Sequence, residues 1–259
     1  MVRKQTRRHP EVYWIALRSS NHLPNFWMTR QYVALANLSW MDCEDLCGWV
    51  DEEDDECWFL PPLGHRGFET HHPVFACFPG ERVVNGTFLD HQYIYDAHQF
   101  LGLEGSQWKV YRKNIKKYPG RTDGALEYRE LIPQEYKDEV GVLLERWCAG
   151  KVLEDPETLV RFAFYGSWRW GLFRDGELVG LNIGDLNHLH AIFRYCIDDT
   201  TPYLNEYLRH CFYTSGWAQT FRWINDGGDL GNPGLERFKR RLNPRSVLQV
   251  WSSAVVNEG

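Results

Sequence analysis

The stretch that decides the fold spans residues 225–239 and reads NDGGDLGNPGLERFK. Its first ten residues hold four glycines and a proline, which is typical of a tight loop. The apolar spacing within Leu235–Leu242 then predicts a short helix. The flanking segments, Trp217–Ile224 and Ser246–Val255, are rich in β-forming residues and predict strands. The stretch is therefore expected to be a loop and a helix that join two strands.

Upstream of this stretch, the sequence predicts two helices, three strands and a further helix. Apolar residues recur at helical spacing from Tyr136 to Trp147, with Pro133 in the first turn and Gly150 at the end. The other segments are, in chain order, a helix opened by Asp155 and Pro156, strands over 168–173, 178–183 and 189–197, and a helix from Pro202 to Phe212. The turn Arg174–Glu177 contains Asp-Gly, which favours a hairpin. The C-terminal half thus runs α-α-β-β-β-α-β-α-β.

The N-terminal half is less regular. Strands are expected over Trp58–Gly64 and Pro73–Phe78, each beside a Pro/Gly turn. A helix is predicted over 108–118, with an apolar stripe formed by Trp108, Tyr111, Ile115 and Tyr118. A neighbouring face of that helix carries Lys109, Arg112 and Lys116, which predicts a basic surface.

The net charge of −6 is carried by one segment. Residues 51–56 read DEEDDE and hold six negative charges, so that the rest of the chain is formally neutral. We expect this run to be a solvated loop. Against the neutral background, residues 109–121 and 237–245 are locally basic, which favours a phosphate-bearing partner.

The composition favours a soluble globular protein of 259 residues, of which 43% are hydrophobic and 25% charged. No apolar run reaches the roughly 20 residues that a membrane-spanning helix needs. The basic N-terminus is not followed by the apolar segment of a signal peptide. An odd number of cysteines, seven, then favours reduced thiols and a cytoplasmic location. No metal site is expected, because the pair Cys43 and Cys47 has no second pair at matching spacing.

The stretch 225–239 also carries a motif. It is similar to the pattern N-x-E-x-D-L-G-x-x-G-L-R-x-x-K, and the matching residues are Asn225, Asp229, Leu230, Gly231, Gly234, Leu235 and Lys239. A second block, residues 93–118, is similar to the succession Y-x-Y-D, L-x-G-x-x-aromatic and R-x-x-I-x-x-aromatic. Both patterns resemble those of the DUF2156 family, a GNAT-related group that contains the catalytic domain of phosphatidylglycerol lysyltransferases. Together the blocks frame residues 93–245.

The sequence departs from the family pattern at three places. Gly227 stands where the family has Glu, and Glu236 stands where it has Arg. Phe193-Arg194 occupies a strand position that often reads Glu-Lys. The missing carboxylate at Gly227 argues against a glutamate-based general base.

The resemblance implies an α+β, GNAT-like fold: a mixed, largely antiparallel sheet flanked by helices. Because family members commonly pair two such halves, we expect a degenerate half over residues 1–120 and a catalytic half over 121–259. The resemblance also implies a gap between two diverging strands, beside the turn that begins at Asn225. There an acyl or aminoacyl group would pass from acyl-CoA or aminoacyl-tRNA to an amine. The acceptor is expected to be an amine of a soluble small molecule, a peptide or a nucleic acid. Partners could include tRNA or DNA, and no membrane partner is expected.

Three residues are candidates for catalysis. Asp229 lies in the motif loop and would hold an ammonium group or accept its proton. An equally weighted alternative is that Asp229 caps the helix beginning near Pro233 or ties the turn. Asn225 belongs to the same motif. Tyr195 is a candidate for the phenol that reprotonates a leaving thiolate, with core packing as the commoner role of such a residue.

The other candidates would bind phosphates or substrate. In GNAT-like folds the donor's pyrophosphate rests on N–H groups at the helix start after the central strand, which here are those of Thr200, Thr201 and Tyr203. Neutralisation of donor phosphates is assigned to Lys239 and Arg240. Substrate contacts are assigned to Arg112, Lys116 and Arg194. For each cation, solvation at the surface is the alternative.

Two other functions stay open. One is a non-catalytic binding module that keeps the GNAT fold, which the residues Gly227 and Phe193 favour. The other is a nucleic-acid-binding protein that uses the basic helix 108–118, with Trp108 and Tyr111 as stacking residues.

Overall fold

The structure, a computed structural model, describes residues 30–36, 38–43, 46–53, 56–59, 63–64, 74–79, 87–149, 151, 156–187 and 190–254. Within these ranges the α-helices are α1 (Arg30–Leu35), α2 (Gln99–Gly102), α3 (Lys109–Ile115), α4 (Lys137–Cys148), α5 (Pro156–Tyr165), α6 (Leu204–Tyr213) and α7 (Pro233–Arg241). The strands are β1 (Ser39–Cys43), β2 (Leu46–Glu53), β3 (Glu56–Phe59), β4 (Leu63–Gly64), β5 (Val74–Pro79), β6 (Thr87–Asp96), β7 (Leu126–Glu130), β8 (Trp168–Arg174), β9 (Glu177–Asn187), β10 (His190–Asp198), β11 (Trp223–Asn225) and β12 (Ser246–Ala254). Short 3₁₀ helices cover Ser106–Trp108, Pro119–Arg121 and Ala218–Thr220.

The described residues form two compact units. The first holds those up to Gln92, together with Gly228–Gly231 and the residues from Val247 onward. The second holds Tyr93–Gly227 and Asn232–Ser246. The tandem arrangement of two GNAT-like halves, divided near residue 120, stays a prediction.

The first unit contains the strand order β1-β2-β3-β5-β12, with β4 paired to β2. The β3–β5 pair is parallel, and the other pairs with a described register are antiparallel. The strands predicted over 58–64 and 73–78 correspond in part to β3, β4 and β5, while residues 60–62 and 73 lie outside the described residues.

The acidic run was expected to be a loop, and the structure corrects this. Asp51–Glu53 form the end of β2, Glu56 begins β3, and Glu53 lies opposite Glu56 in the antiparallel register. The backbone ladder with a neighbouring strand therefore outweighs the low strand propensity of Asp and Glu. Residues 54 and 55 lie outside the described residues.

The second unit contains the strand order β6-β11-β10-β9-β8-β7. Its registered pairs are antiparallel except for β10–β11, so the predicted mixed, largely antiparallel class is confirmed. The parallel pairing of β10 with β11 extends over three residue pairs and ends at Ile192 and Asn225. Beyond it β10 continues to Asp198, with an irregularity between Phe193 and Tyr195, whereas β11 stops. The pairing therefore ends where β11 ends, and the gap between diverging strands that the resemblance implies stays a prediction.

Helices cover both faces of β9. Leu204, Leu208 and Phe212 recur every four residues and are fully buried, which makes one side of α6 apolar. Asn182 donates to the carbonyl of Leu208, so the even-numbered residues of β9 face α6. Ile183 points the other way, toward Gly166 at the end of α5. The sheet is thus flanked by helices, as the sequence predicts.

Three predicted elements are shorter than expected. The helix predicted over 108–118 covers only Lys109–Ile115. The strand expected over 217–224 is reduced to β11, because Ser215 accepts hydrogen bonds from the N–H groups of Ala218 and Gln219 and turns the chain into a 3₁₀ helix. The helix expected from Pro133 begins at Lys137 instead. The hairpin turn at Asp175 and Gly176 is as predicted, with φ values of 51° and 86°.

A buried ion cluster lies at the end of β11. Arg209 of α6 donates to the Asp226 carboxylate at 2.7 Å, and the Tyr213 hydroxyl donates to its other oxygen at 2.8 Å. Lys239 of α7 donates to the Asp226 carbonyl and lies 3.6 Å from the carboxylate. Burial, and next the Asp226 charge, raises the pKa of Tyr213 well above its usual value, so the phenol stays a donor.

Substitution of Asp226 tests this cluster. Asp226→Asn removes a carboxylate that contacts both Arg209 and Lys239, and it should lower the free energy of unfolding by about 3–5 kcal/mol. Urea denaturation measures this change. Glu157→Gln, which breaks an exposed pair with Arg161, is the control and should cost less than about 0.5 kcal/mol. Equal losses in the two variants would contradict the argument.

His210 predicts a pH dependence of stability. Its ring packs edge-on against Tyr111 at 5.8 Å, its Nδ1 has no hydrogen-bond partner among the described residues, and burial lowers its pKa from 6.5 to about 4. Between these values the unfolded chain binds the proton and the folded chain does not, so stability falls as the pH falls. The loss should reach about 3 kcal/mol at pH 4. His210→Phe should remove this share of the pH dependence in urea titrations, whereas the exposed His98→Gln should keep it.

Candidate active site

The motif loop lies after β11 and is shaped by backbone conformation. Gly227, Leu230 and Gly231 have φ values of 61°, 54° and 65°, in the left-handed region. The Asn225 side chain accepts a hydrogen bond from the N–H of Gly227 at 2.9 Å, which closes the first turn. Asn225 is fully buried, so the described contact gives it a role in the turn.

Asp90 on β6 holds this loop. Its Oδ1 accepts hydrogen bonds from the N–H groups of His91 at 2.7 Å and Asp229 at 3.1 Å. Its Oδ2 accepts from the N–H of Leu230 at 3.3 Å. A Cβ atom on Gly228 would overlap that oxygen, so any other residue at position 228 would displace the Asp90 carboxylate. The Asp90 carboxylate therefore occupies the space that a side chain at position 228 would need.

Asp229 forms a pair with His91. Its Oδ2 lies 3.0 Å from His91 Nδ1, and its Oδ1 accepts from the N–H of Gly231 at 3.1 Å. An ionised carboxylate can only accept, so a neutral ring that donates to it carries the proton on Nδ1 and has Nε2 as its basic nitrogen. The Asp229 side chain is 6% exposed and the His91 side chain 18%. A partly exposed imidazole oriented by a buried carboxylate is suited to accept a proton.

The same three residues are one group that could hold a cation. One ligand atom each from Asp90, His91 and Asp229 lie within 4.8 Å of one another. The Asp90 and Asp229 oxygens, however, already accept the backbone hydrogen bonds described above. These bonds use one lone pair of Asp90 Oδ2 and one of Asp229 Oδ1, so the same three residues could hold either the hydrogen-bonded pair or a cation.

Sequence reasoning singled out Asp229 but missed His91 and Asp90. Asp229 does not cap α7, since the Asn232 side chain accepts from the N–H groups of Gly234 and Leu235. The signal that could have found the partners is weak: Asp90-His91 stands two residues before the Tyr93–Asp96 block. Nothing local in the sequence shows that these side chains meet a loop 138 residues away.

The proposed phosphate ligands Lys239 and Arg240 have different surroundings. Lys239 is buried and contacts Asp226, as described above. Arg240 is exposed and pairs with Glu236 at 2.7 Å, one helical turn earlier. The run of four basic residues in α7 thus supplies one buried cation and one surface ion pair.

Carboxylates accept hydrogen bonds from the backbone just before α6. The N–H of Thr200 donates to Asp198 at 2.8 Å and that of Thr201 donates to Asp199 at 2.9 Å. Two of the N–H groups expected to receive a donor pyrophosphate are therefore occupied by side-chain oxygens.

Cations surround Tyr203, the third residue of that predicted set. Lys117 Nζ lies 4.0 Å and the Arg121 guanidinium 4.9 Å from the ring centre. A hydrogen bond from Lys117 lowers the pKa of Tyr203. Sequence reasoning placed Lys117 and Arg121 in a basic segment but did not connect them with Tyr203.

The three residues predicted to bind substrate have different surroundings. Arg112 donates to the carbonyls of Leu103 and Gly105, so it orders the turn before α3. Lys116 is exposed directly after α3. Arg194 is buried against Asp185 at 3.0 Å.

Tyr195 lies near the same part of the core as Arg194. The ring centres of Tyr195 and Phe162 are 6.0 Å apart, and the Arg194 guanidinium lies 4.8 Å from the Phe162 ring. Both residues therefore contact α5, whereas Asp229 pairs with His91.

None of the helices in the described ranges is long and apolar enough to cross a membrane.

Comparison with known proteins establishes the fold. No protein-family profile and no curated protein matches the sequence. Among solved structures, a conserved protein of unknown function from Bacteroides thetaiotaomicron is similar with a TM-score of 0.74 and 15% identity, covering 89% of this chain and 91% of that one. L-PGS from Bacillus licheniformis has a TM-score of 0.65 and 13% identity, with 95% and 91% covered.

The C-terminal DUF2156 domain of a putative lysylphosphatidylglycerol synthetase from Agrobacterium fabrum gives a TM-score of 0.60 at 11% identity, with 85% of this chain and 84% of that one covered. Likeness at these identities concerns the fold. The chain therefore has the GNAT-related fold of the DUF2156 domain, and the resemblance predicted from its sequence is confirmed.

Proposed function

We propose that this protein is an N-acyltransferase or aminoacyltransferase in which His91, oriented by Asp229, takes the proton of the acceptor amine. The observation that carries the proposal is the 3.0 Å contact between His91 Nδ1 and Asp229 Oδ2 in a GNAT-like fold. Asp229 belongs to the motif loop, and Gly227 stands where the family has a glutamate. The dyad of His91 and Asp229 supplies a base in place of the glutamate that is missing at position 227.

An acceptor that enters as an ammonium loses two protons from its nitrogen, one before and one after the attack on the carbonyl carbon. An amine is largely protonated at neutral pH, and only its neutral form attacks a carbonyl carbon. Nε2 of His91 accepts this proton, and the Asp229 carboxylate stabilises the imidazolium that forms. The amine nitrogen forms a bond to the carbonyl carbon, and the C–S bond of a thioester or the C–O bond of an ester breaks. The nitrogen then loses its second proton, the departing thiolate or alkoxide takes up one proton, and the other passes from His91 to solvent, which completes the balance.

The donor is an acyl-CoA or an aminoacyl-tRNA, both of which carry phosphates. Within the second unit, Lys117 and Arg121 beside Tyr203 are cations suited to a phosphate, whereas the N–H groups of Thr200 and Thr201 already donate to Asp198 and Asp199. Neither cation forms an ion pair with a carboxylate among the described residues, so their charge is available to an anion. The acceptor is an amine of a small molecule, a peptide or a nucleic acid.

Replacement of the dyad tests the proposal. The protein is first incubated with acetyl-CoA, longer acyl-CoAs and aminoacyl-tRNAs and a pool of amines, and mass spectrometry detects the acylated product. His91→Gln and Asp229→Asn should each lower kcat by about 10²–10⁴-fold, because the base or its orientation is lost. His98→Gln replaces an exposed histidine at the end of β6 and should leave kcat unchanged.

The two dyad variants should also unfold at nearly the wild-type urea concentration, which separates catalysis from stability. Full activity of His91→Gln would overturn the proposed base. Loss of activity on chelation, with recovery on adding a divalent cation, would replace the dyad by a metal site at the same three residues.

A second candidate function is binding of a nucleic acid through the basic surface, which we define as Lys109, Lys113, Lys116, Lys117 and Arg121. None of the five forms a salt bridge within the described chain; Lys109 and Lys113 are exposed on α3, and Lys116 is exposed directly after it. The stacking expected of Trp108 and Tyr111 is not available, because both rings are buried against each other and against Phe100 and His210.

Salt dependence tests this surface. RNA binding in a filter assay should weaken steeply with salt, and the charge reversals Lys113→Glu and Lys116→Glu should reduce both the affinity and the salt slope. Lys137→Glu, on α4 outside the surface, is the control. Binding that is insensitive to salt, or unchanged in the reversals, would exclude this function.

A further inference from the structure

The loop that carries Asp229 needs an external anchor. Leu230 adopts a left-handed conformation that is unfavourable for a residue with a side chain, and it is 84% exposed, so burial does not stabilise it. The turns around it contain four glycines in eight residues from Gly227 to Gly234, which increase the backbone entropy of the free loop. A contact from outside the loop must therefore select one conformation.

The Asp90 carboxylate provides that contact. It receives the N–H groups of His91, Asp229 and Leu230 at 2.7, 3.1 and 3.3 Å. Hydrogen bonds to a charged acceptor are stronger than those between neutral groups. The same carboxylate thus binds the main chain of both members of the dyad.

We infer that Asp90 is a positioning residue, which fixes the distance between His91 and Asp229 by holding the backbone of both. This inference rests on the proposed function. Asp90 itself does not bond the imidazole: its three described partners are backbone N–H groups. Its effect reaches the reaction through Asp229, whose carboxylate sets the proton on Nδ1 of His91 and leaves Nε2 as the base.

The contacts predict graded effects of substitution. In Asp90→Asn the amide oxygen, at the Oδ1 position, keeps the bonds from His91 and Asp229, whereas the amide NH₂ meets the N–H of Leu230 and loses that bond. Asp90→Ala loses all three. Misplacement of a catalytic group by about 1 Å can cost on the order of a hundredfold in rate. We therefore expect kcat to fall about tenfold in Asp90→Asn and about a hundredfold in Asp90→Ala, with KM nearly unchanged.

Asp96→Asn is the matched control. Its carboxylate, on the same strand, accepts a backbone N–H two residues later, from His98 at 3.0 Å, and contacts nothing in the loop. This variant should keep wild-type kcat.

The tautomer of His91 gives a readout that does not depend on any substrate. In ¹⁵N-histidine-labelled protein at about pH 8, long-range ¹H–¹⁵N spectra distinguish Nδ1–H from Nε2–H rings, and the His91→Gln variant assigns the signal. We expect the Nδ1–H form in the wild type and in Asp96→Asn, and a shift toward the Nε2–H form in Asp90→Ala. Asp90→Asn should lie between them, and it provides the readout if Asp90→Ala does not fold.

Failure of this inference differs from failure of the proposed function. Wild-type tautomer and kcat in the Asp90 variants, with His91→Gln inactive, would remove the positioning role and leave His91 as the base. An active His91→Gln would remove the proposed function, whatever the Asp90 variants do. A tautomer shift without any change in kcat would show that Asp90 orders the loop but does not position the dyad for catalysis.

Discussion

The carboxylate of Asp226 is the charge on which the second unit depends. It is buried together with two cations, and a buried cation that lacks an anion costs several kcal/mol. Arg209 belongs to α6 and Lys239 to α7, so the need to neutralise both fixes the two helices at the end of β11. Asp226 is also the second residue of the motif stretch. Its buried contacts therefore fix the backbone at the start of the motif loop.

Local patterns were sufficient to predict the elements with a clear period or turn. The hydroxyl cap and the first-turn Pro202 predicted α6, and Asp175-Gly176 predicted the β8–β9 hairpin, because the residues that form each element are neighbours in the chain. The expected strand at 217–224 was wrong where hydrogen bonds to Ser215 compete with β propensity. The acidic residues of β2 were placed in a loop because their strand pairing depends on partners that propensity does not describe.

The candidate site could be predicted only in part. The motif led to Asp229, but the identity of its partner depends on β6 bringing His91 to the loop from 138 positions away. The exposure of the basic residues on α3 follows from helical spacing, whereas the burial of Lys239 in the run Arg237–Arg241 does not. The sequence indicated free N–H groups at Thr200 and Thr201. In the structure these groups donate hydrogen bonds to the preceding Asp198 and Asp199 side chains in Asx turns.

Leu230 has an evolutionary consequence. A leucine in left-handed geometry costs about 1 kcal/mol relative to glycine, and one that stays in water recovers little of that cost. Selection for thermostability alone would drift toward glycine or asparagine at this position. If distant homologues keep leucine here, selection for something other than folding stability must favour it. Directed evolution at high temperature would then replace the leucine, because it selects for stability alone.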